Sequence, residues 1–194
     1  MSHRVSAVLL AAGKSTRMGQ SKLLLPLKEK PVARHCLETI IASGIEDIVI
    51  VLGMDGDPLA KAVDGLPVRI AFNRNIESDM AESVRAGLHQ VDTGSSGVLI
   101  CLADHPLVSV ETFRTLVRSH IEDPDKIMIP SFLGRRGHPT LFPMPVVREI
   151  FSLQSLREVV HKDPDRVSVI PVTDEGVILD MDTPEDYKKI CDNI

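Results

Sequence analysis

The chain has 194 residues, 43% of them hydrophobic and 25% charged, with a formal net charge of −5. That length supports a single domain over 1–194 with a sizeable core, and the composition is that of an ordinary globular protein. The acidic balance and the scarcity of aromatic residues, with no Trp and one Tyr, argue against nucleic-acid and anionic-membrane partners, which call for basic surfaces and stacking rings.

Cys36, Cys101 and Cys191 show no metal-type spacing and read as reduced thiols of a cytoplasmic protein. The start "MSHRVSAVLLAAG" lacks signal-peptide architecture. No apolar run approaches the ~20 residues of a membrane span.

In chain order, "VSAVLLA" (5–11) predicts a buried strand. "PVARHCLETIIASG" (31–44) predicts a helix that starts at Pro31 and stops at Gly44, following the usual asymmetry of helix ends. "DIVIVLG" (47–53) is a second strand, 57–64 a short helical piece and "LPVRIAFN" (66–73) a third strand. "MAESVRAGLHQV" (80–91) has helical spacing, and "GVLICLAD" (97–104) is a fourth strand. "SVETFRTLVRSHIE" (109–122) predicts a helix capped by Ser109, with Glu111 favourable in its first turn. "KIMIPSF" (126–132) is a fifth strand, and 133–142 a glycine-bearing loop or hairpin. Beyond it come helical pieces at 145–153 and 155–162, short strands at 167–172 and 176–182, and a closing helix over 183–194. Unbroken Val/Ile/Leu strands alternating with helices predict an α/β fold, with a mostly parallel sheet covered on both faces.

The first strand runs into Gly13-Lys14-Ser15. A P-loop would need glycine at position 8, which is Val8. A dinucleotide fingerprint from Gly13 would need glycines at 15 and 18, which are Ser15 and Met18. Both readings fail. What stands is a strand followed by a loop with Gly13, Lys14, Arg17, Gly19 and Lys22. A loop at the carboxyl end of a first strand is where open α/β sheets bind ligands. Glycines let backbone N–H groups approach phosphate, Arg17 can grip it with a fork, and Lys22 adds a point charge.

"LAAGKSTRMGQSKLLLPL" resembles the signature L-A-[AG]-G-x-S-x-R-M-G-x-x-K of the molybdenum-cofactor nucleotidyltransferases. With "NRNIESDMAESVRAG", "LADHPLV", "GRRGHPTLF" and "LDMDTPEDY" in the expected order, the likeness spans essentially the whole chain. It is fullest to the cytidylyltransferase branch, the MocA-like part of the MobA-like family. The resemblance implies a three-layer, Rossmann-like fold of the nucleotide-diphospho-sugar transferase type. The implied reaction moves CMP from CTP to a molybdopterin-type cofactor and releases pyrophosphate. A molybdoenzyme or maturation factor would be the protein partner.

Both reactants are polyanions, and two unit charges 4 Å apart interact by ~4 kcal/mol at an effective dielectric of ~20. Cations must offset that repulsion, with Mg²⁺ the implied ion. Asp104 ends the fourth strand and is the expected principal ligand. Asp182 completes the metal site by resemblance. Asp180 stands in reserve, on the same face if the strand continues. Thr183 and Pro184 read as N-cap and first helical residue. Arg17 and Lys22, with Asp104, would carry the chemistry. Leu10, Ala11, Ala12, Gly13, Lys14, Asn73, Met80 and Ser83 would join Arg17 and Lys22 in holding the nucleotide, with Ala12 favouring cytidine. Arg135, Arg136, Gly137, His138 and Pro139 would form a cationic, flexible loop for the anionic acceptor, and His138 could also carry a proton. Two positions depart from the branch: Asp79, where glycine is common, and His105, where glutamine is usual. Another phosphorylated acceptor, or a non-catalytic cofactor carrier, are the competing readings.

Overall fold

The computed structural model describes residues 4–13, 21–75 and 79–192. The elements are β1 (Val5–Ala11), β2 (Pro26–Leu27), β3 (Lys30–Pro31), α1 (Val32–Ala42), β4 (Asp47–Leu52), α2 (Asp57–Ala62), β5 (Arg69–Phe72), α3 (Met80–Leu88), β6 (Gly97–Leu102), α4 (Val110–Glu122), β7 (Ile127–Phe132), β8 (Arg135–Arg136), β9 (Thr140–Pro143), α5 (Met144–Val147), α6 (Leu156–His161), β10 (Val167–Pro171) and α7 (Pro184–Asp192). Among the described residues no helix is long and apolar enough to cross a membrane.

The main sheet runs β10-β7-β9-β6-β1-β4-β5, with β8 on β7. β1 pairs parallel with β4 on one side and β6 on the other, so that Val8 lies between Val49 and Ile100. Side chains alternate across a strand, and the alternation divides the core in two. Ala7, Leu9, Ile48, Ile50, Leu99 and Cys101 face one layer, with Leu37 of α1 and Leu116 of α4. Val8, Val49, Val51, Val98 and Ile100 face the other, with Val84 of α3, Val147 of α5 and Val159 of α6. This is the three-layer α/β architecture the sequence predicts.

Three stretches differ from expectation. Residues 133–142 hold more than a loop or hairpin. β8 folds back on β7 through a two-residue turn, Leu133-Gly134, with φ of 48° and 81°. The chain then enters the sheet as β9, antiparallel to both β6 and β7. Second, no strand forms over 176–182: a 3-10 turn occupies Glu175–Ile178, and an irregular stretch follows. The apolar run is satisfied by packing instead, since Val177 and Met181 are fully buried. Third, the segment expected to take the acceptor is pinned. A methyl on Gly137 would overlap the Val177 carbonyl, and one on Gly176 the Leu107 carbonyl. Gly137 N–H donates to Pro130 O and His138 N–H to Val177 O, each at 2.8 Å. Close backbone approach, rather than flexibility, is what these glycines provide.

Candidate functional site

The strand order reverses at β1. From there β4 and β5 extend one way, while β6 lies on the other side. Open α/β sheets bind ligands in the crevice outside the carboxyl ends of the strands at such a switch point. β1 ends there at Ala11, followed by half-buried Ala12 and exposed Gly13. Lys14 and Arg17 lie outside the described residues.

A 3-10 turn spans Lys22–Leu24. Lys22 Nζ donates to Asp104 Oδ2 at 2.9 Å and to Asp182 Oδ1 at 2.8 Å. Asp104 reaches this position because Ala103 N–H still pairs with Leu10 O at 3.2 Å, carrying the β6–β1 register past the strand end. Asp182 reaches it because Met181 N–H donates to Asp104 O at 2.9 Å. Behind it Thr183 and Asp186 form a capping box on α7, each side chain bonded to the other's backbone N–H. Asp180 is exposed, and without a strand it shares no sheet face with Asp182.

Burial acts most on Lys22 and pulls its pKa down, but hydrogen bonds and charges from Asp182 and Asp104 outweigh it, and the net shift is upward. The ammonium is therefore firmly charged. Among the described residues no cluster of three His, Cys, Asp or Glu side chains is placed to hold a metal ion. A cation at this edge has Asp104 and Asp182 to bind, and water and phosphate oxygens to complete its shell. Two carboxylates suit a hard ion that stays partly hydrated, as Mg²⁺ does.

The nucleotide residues divide. Leu10 and Ala11 end β1 and Ala12 and Gly13 follow it, with Leu10 O accepting from the N–H of Ala103, the residue before Asp104. A methyl on Gly53, at the end of β4, would stand 3.2 Å from Ala12 O, so these two strand ends press together. Asn73 and Ser83 are buried two strands away and bond each other, Nδ2 to Oγ at 3.0 Å. Met80 opens α3 with 56% of its surface exposed. Asp79, one of the departures from the family pattern, caps α3 by accepting from Glu82 N–H at 3.0 Å.

The acceptor residues divide too. Arg135 and Arg136 are exposed, form no ion pair among the described residues, and start on opposite faces of β8 as neighbours on a strand must. His138 turns inward against His105, ring centroids 5.2 Å apart. Burial first, and electrostatic repulsion from the His105 ring second, push His138 down to about 4, with Asp104 opposing. Its imidazole is neutral at physiological pH. His105 and Gly53 are the neighbours that the sequence assigns no role. A glycine directly after a buried strand, in "VIVLG", is the signal for the second.

Comparison with known proteins bears on the family and the fold. Residues 7–167 match the MobA-like NTP transferase domain. The purine catabolism protein PucB of Bacillus subtilis is 30% identical over 195 residues, covering 94% of each chain. The nicotine blue oxidoreductase of Paenarthrobacter nicotinovorans is 30% identical over 198 residues, covering 96% of each. Rv0371c from Mycobacterium tuberculosis H37Rv superposes with a TM-score of 0.87 at 27% identity over 99% of both chains. Its complex with manganese gives a TM-score of 0.83 at 25% identity, over 98% of this chain and all of that one.

Proposed function

From the premise that the chain belongs to the MobA-like NTP transferase family, we propose that it moves CMP from CTP to the phosphate of a molybdopterin-type cofactor and releases pyrophosphate. The observation that carries this reading is Lys22 held by both Asp104 and Asp182 at the switch point of the sheet. An oxygen of the acceptor phosphate attacks the α-phosphorus of CTP. The bond from that phosphorus to the oxygen bridging it to the β-phosphorus breaks, and that oxygen leaves with pyrophosphate. Phosphate monoesters are already largely ionised near pH 7, so no general base is required.

Asp104 and Asp182 would hold Mg²⁺, which when bound would neutralise and orient the triphosphate. Lys22 donates to phosphate oxygens and stabilises charge as it develops. Backbone N–H groups around Gly13 hold the phosphates, with Lys14 and Arg17. Ala12 packs beside the cytosine, its place fixed by Gly53. Asn73, Met80 and Ser83 complete the nucleotide side. On the other side Arg135 and Arg136 attract the anionic acceptor, while neutral His138 offers a hydrogen bond. Asp79 has a local capping duty, so its departure from the branch carries less weight against this acceptor than the sequence alone suggests.

The test is pyrophosphate release by purified protein with Mg²⁺ and molybdopterin-type cofactor, comparing CTP, GTP, ATP and UTP. Release with CTP alone is the expected result. Release with another triphosphate retains the class and removes the cytidine assignment. Release only with another phosphorylated acceptor removes the cofactor. Folded protein that releases none with any acceptor would favour the non-catalytic carrier.

A further inference from the structure

Two imidazoles meet beside the acid edge in an arrangement that phosphoryl chemistry leaves unexplained. His105 follows Asp104, His138 lies in the "GRRGHP" segment, and their rings are tilted by 58° at a centroid distance of 5.2 Å. The Nδ1 atom of each is buried and has no hydrogen-bond partner among the described residues. Leaving a buried polar atom unpaired carries a desolvation penalty, and here two such atoms belong to adjacent rings. Both rings line one cavity of about 20 Å³, with Cys36, Thr39, Cys101 and Phe113 among its other walls. A single water needs roughly 10–15 Å³ of such space and two to four polar partners. The Thr39 hydroxyl spends its proton on His35 O and the Cys36 thiol on Ala103 O, so neither supplies a donor to the rings.

We propose that this cavity binds one water that bridges His105 Nδ1 and His138 Nδ1, which makes His105 the positioning residue for His138. A neutral imidazole has one N–H and one bare nitrogen. The water donates to His138 Nδ1, and the proton of that ring then sits on Nε2. In this tautomer the outer edge of His138 is a donor, the form that can bond an anionic acceptor. Only that last point rests on the proposed function. The bridge also ties the loop after β6 to the segment before β9, so the metal edge and the acceptor edge move as one.

Asparagine places its amide near where Nδ1 of histidine lies, whereas glutamine reaches toward the Nε2 position. The test therefore compares wild type with His105→Asn and His105→Phe, using ¹⁵N spectra of the histidine rings at neutral pH without substrate, together with crystal structures. The expected wild-type result is His138 wholly in the Nε2–H form, and one ordered water within hydrogen-bond distance of both Nδ1 atoms. His105→Asn keeps the water and the tautomer; His105→Phe loses the water and shows mixed tautomers at His138. Protonation of wild-type His138 on Nδ1, a dry cavity in the crystal, or an unchanged His138 spectrum in folded His105→Phe would overturn the proposal. No nucleotide enters these experiments, so their outcome is independent of whether the CTP reaction succeeds or fails.

Discussion

Lys22 stands between two carboxylates, and that shared ammonium decides how substitutions around it should behave. The Lys22–Asp104 pair has side chains 14% and 28% exposed, and partly solvated pairs contribute ~0–1 kcal/mol to stability. Asp104→Asn should therefore shift Tm by no more than about 2–4 °C. It should cut turnover by about 10²–10³-fold, as losing a preorganised electrostatic contact does. Turnover close to wild type would remove Asp104 from the metal site. His138 supplies a pH signature of a different kind. Its native pKa is about 4, while an unfolded histidine titrates near ~6.5. Between these values the unfolded chain binds a proton that the native state refuses. Stability should fall as pH drops through that window, by at most about 3 kcal/mol. Glu38 and Glu149 are held below the usual carboxylate range by hydrogen bonds from Lys30 and Arg166, but they act in any His138 variant as well. The Tm–pH curve of His138→Gln should thus be flatter than wild type between pH ~6.5 and ~4. Parallel curves would show that His138 is not held neutral.

At the scale of elements, the segment from β8 to β9, proposed to take the acceptor, depends on close backbone approach. The Gly137 N–H, the Gly137 Cα and the Val177 carbonyl are crowded between β7 and the 3-10 turn at Glu175–Ile178. Gly137→Ala should cost ~1–3 kcal/mol by overpacking, seen as a Tm loss of several degrees. It should also displace His138 and raise the acceptor KM more than the CTP KM. Equal stability and equal KM values would contradict the packing argument. The central strands were legible in sequence for a physical reason: β1, β4 and β6 are buried on both faces and read as unbroken Val/Ile/Leu runs. β9 was not, because Pro139 and Pro143 bracket it, and proline normally argues against a central strand. The run over 176–182 misled in the opposite direction. Its apolar residues are buried as a strand's would be, but the Val177 carbonyl serves His138 N–H and the Met181 N–H serves Asp104 O. Asp104 and Asp182 were legible as acids near element ends. Their meeting at Lys22 was not, since it depends on that Met181 bond across the fold.

At the scale of the whole molecule, a chain of net charge −5 carries three cations, Lys14, Arg17 and Lys22, close in sequence after the strand that ends at Ala11. A polyanion is drawn to such a local field in spite of the overall charge. Ligand that binds only the native state stabilises it by about 2.7 kcal/mol at a hundred times its Kd. CTP with Mg²⁺ should therefore raise Tm by roughly 5–10 °C, and a chelator should abolish most of that rise. A rise of the same size without divalent cation would separate triphosphate binding from Asp104 and Asp182. The arrangement of layers was readable from periodicity alone. The placement of the site followed from the β1 switch point, which becomes visible only when β6 is seen to return beside β1.

The most direct measurement follows the fate of each phosphorus. Protein, Mg²⁺ and molybdopterin-type cofactor are incubated with CTP labelled at the α- or the γ-phosphorus. The α-label should appear covalently on the cofactor and the γ-label in pyrophosphate, with both transfers lost in Lys22→Ala. Label from the γ-position on the acceptor, or α-label found only in free CMP, would contradict nucleotidyl transfer at the Lys22–Asp104–Asp182 edge.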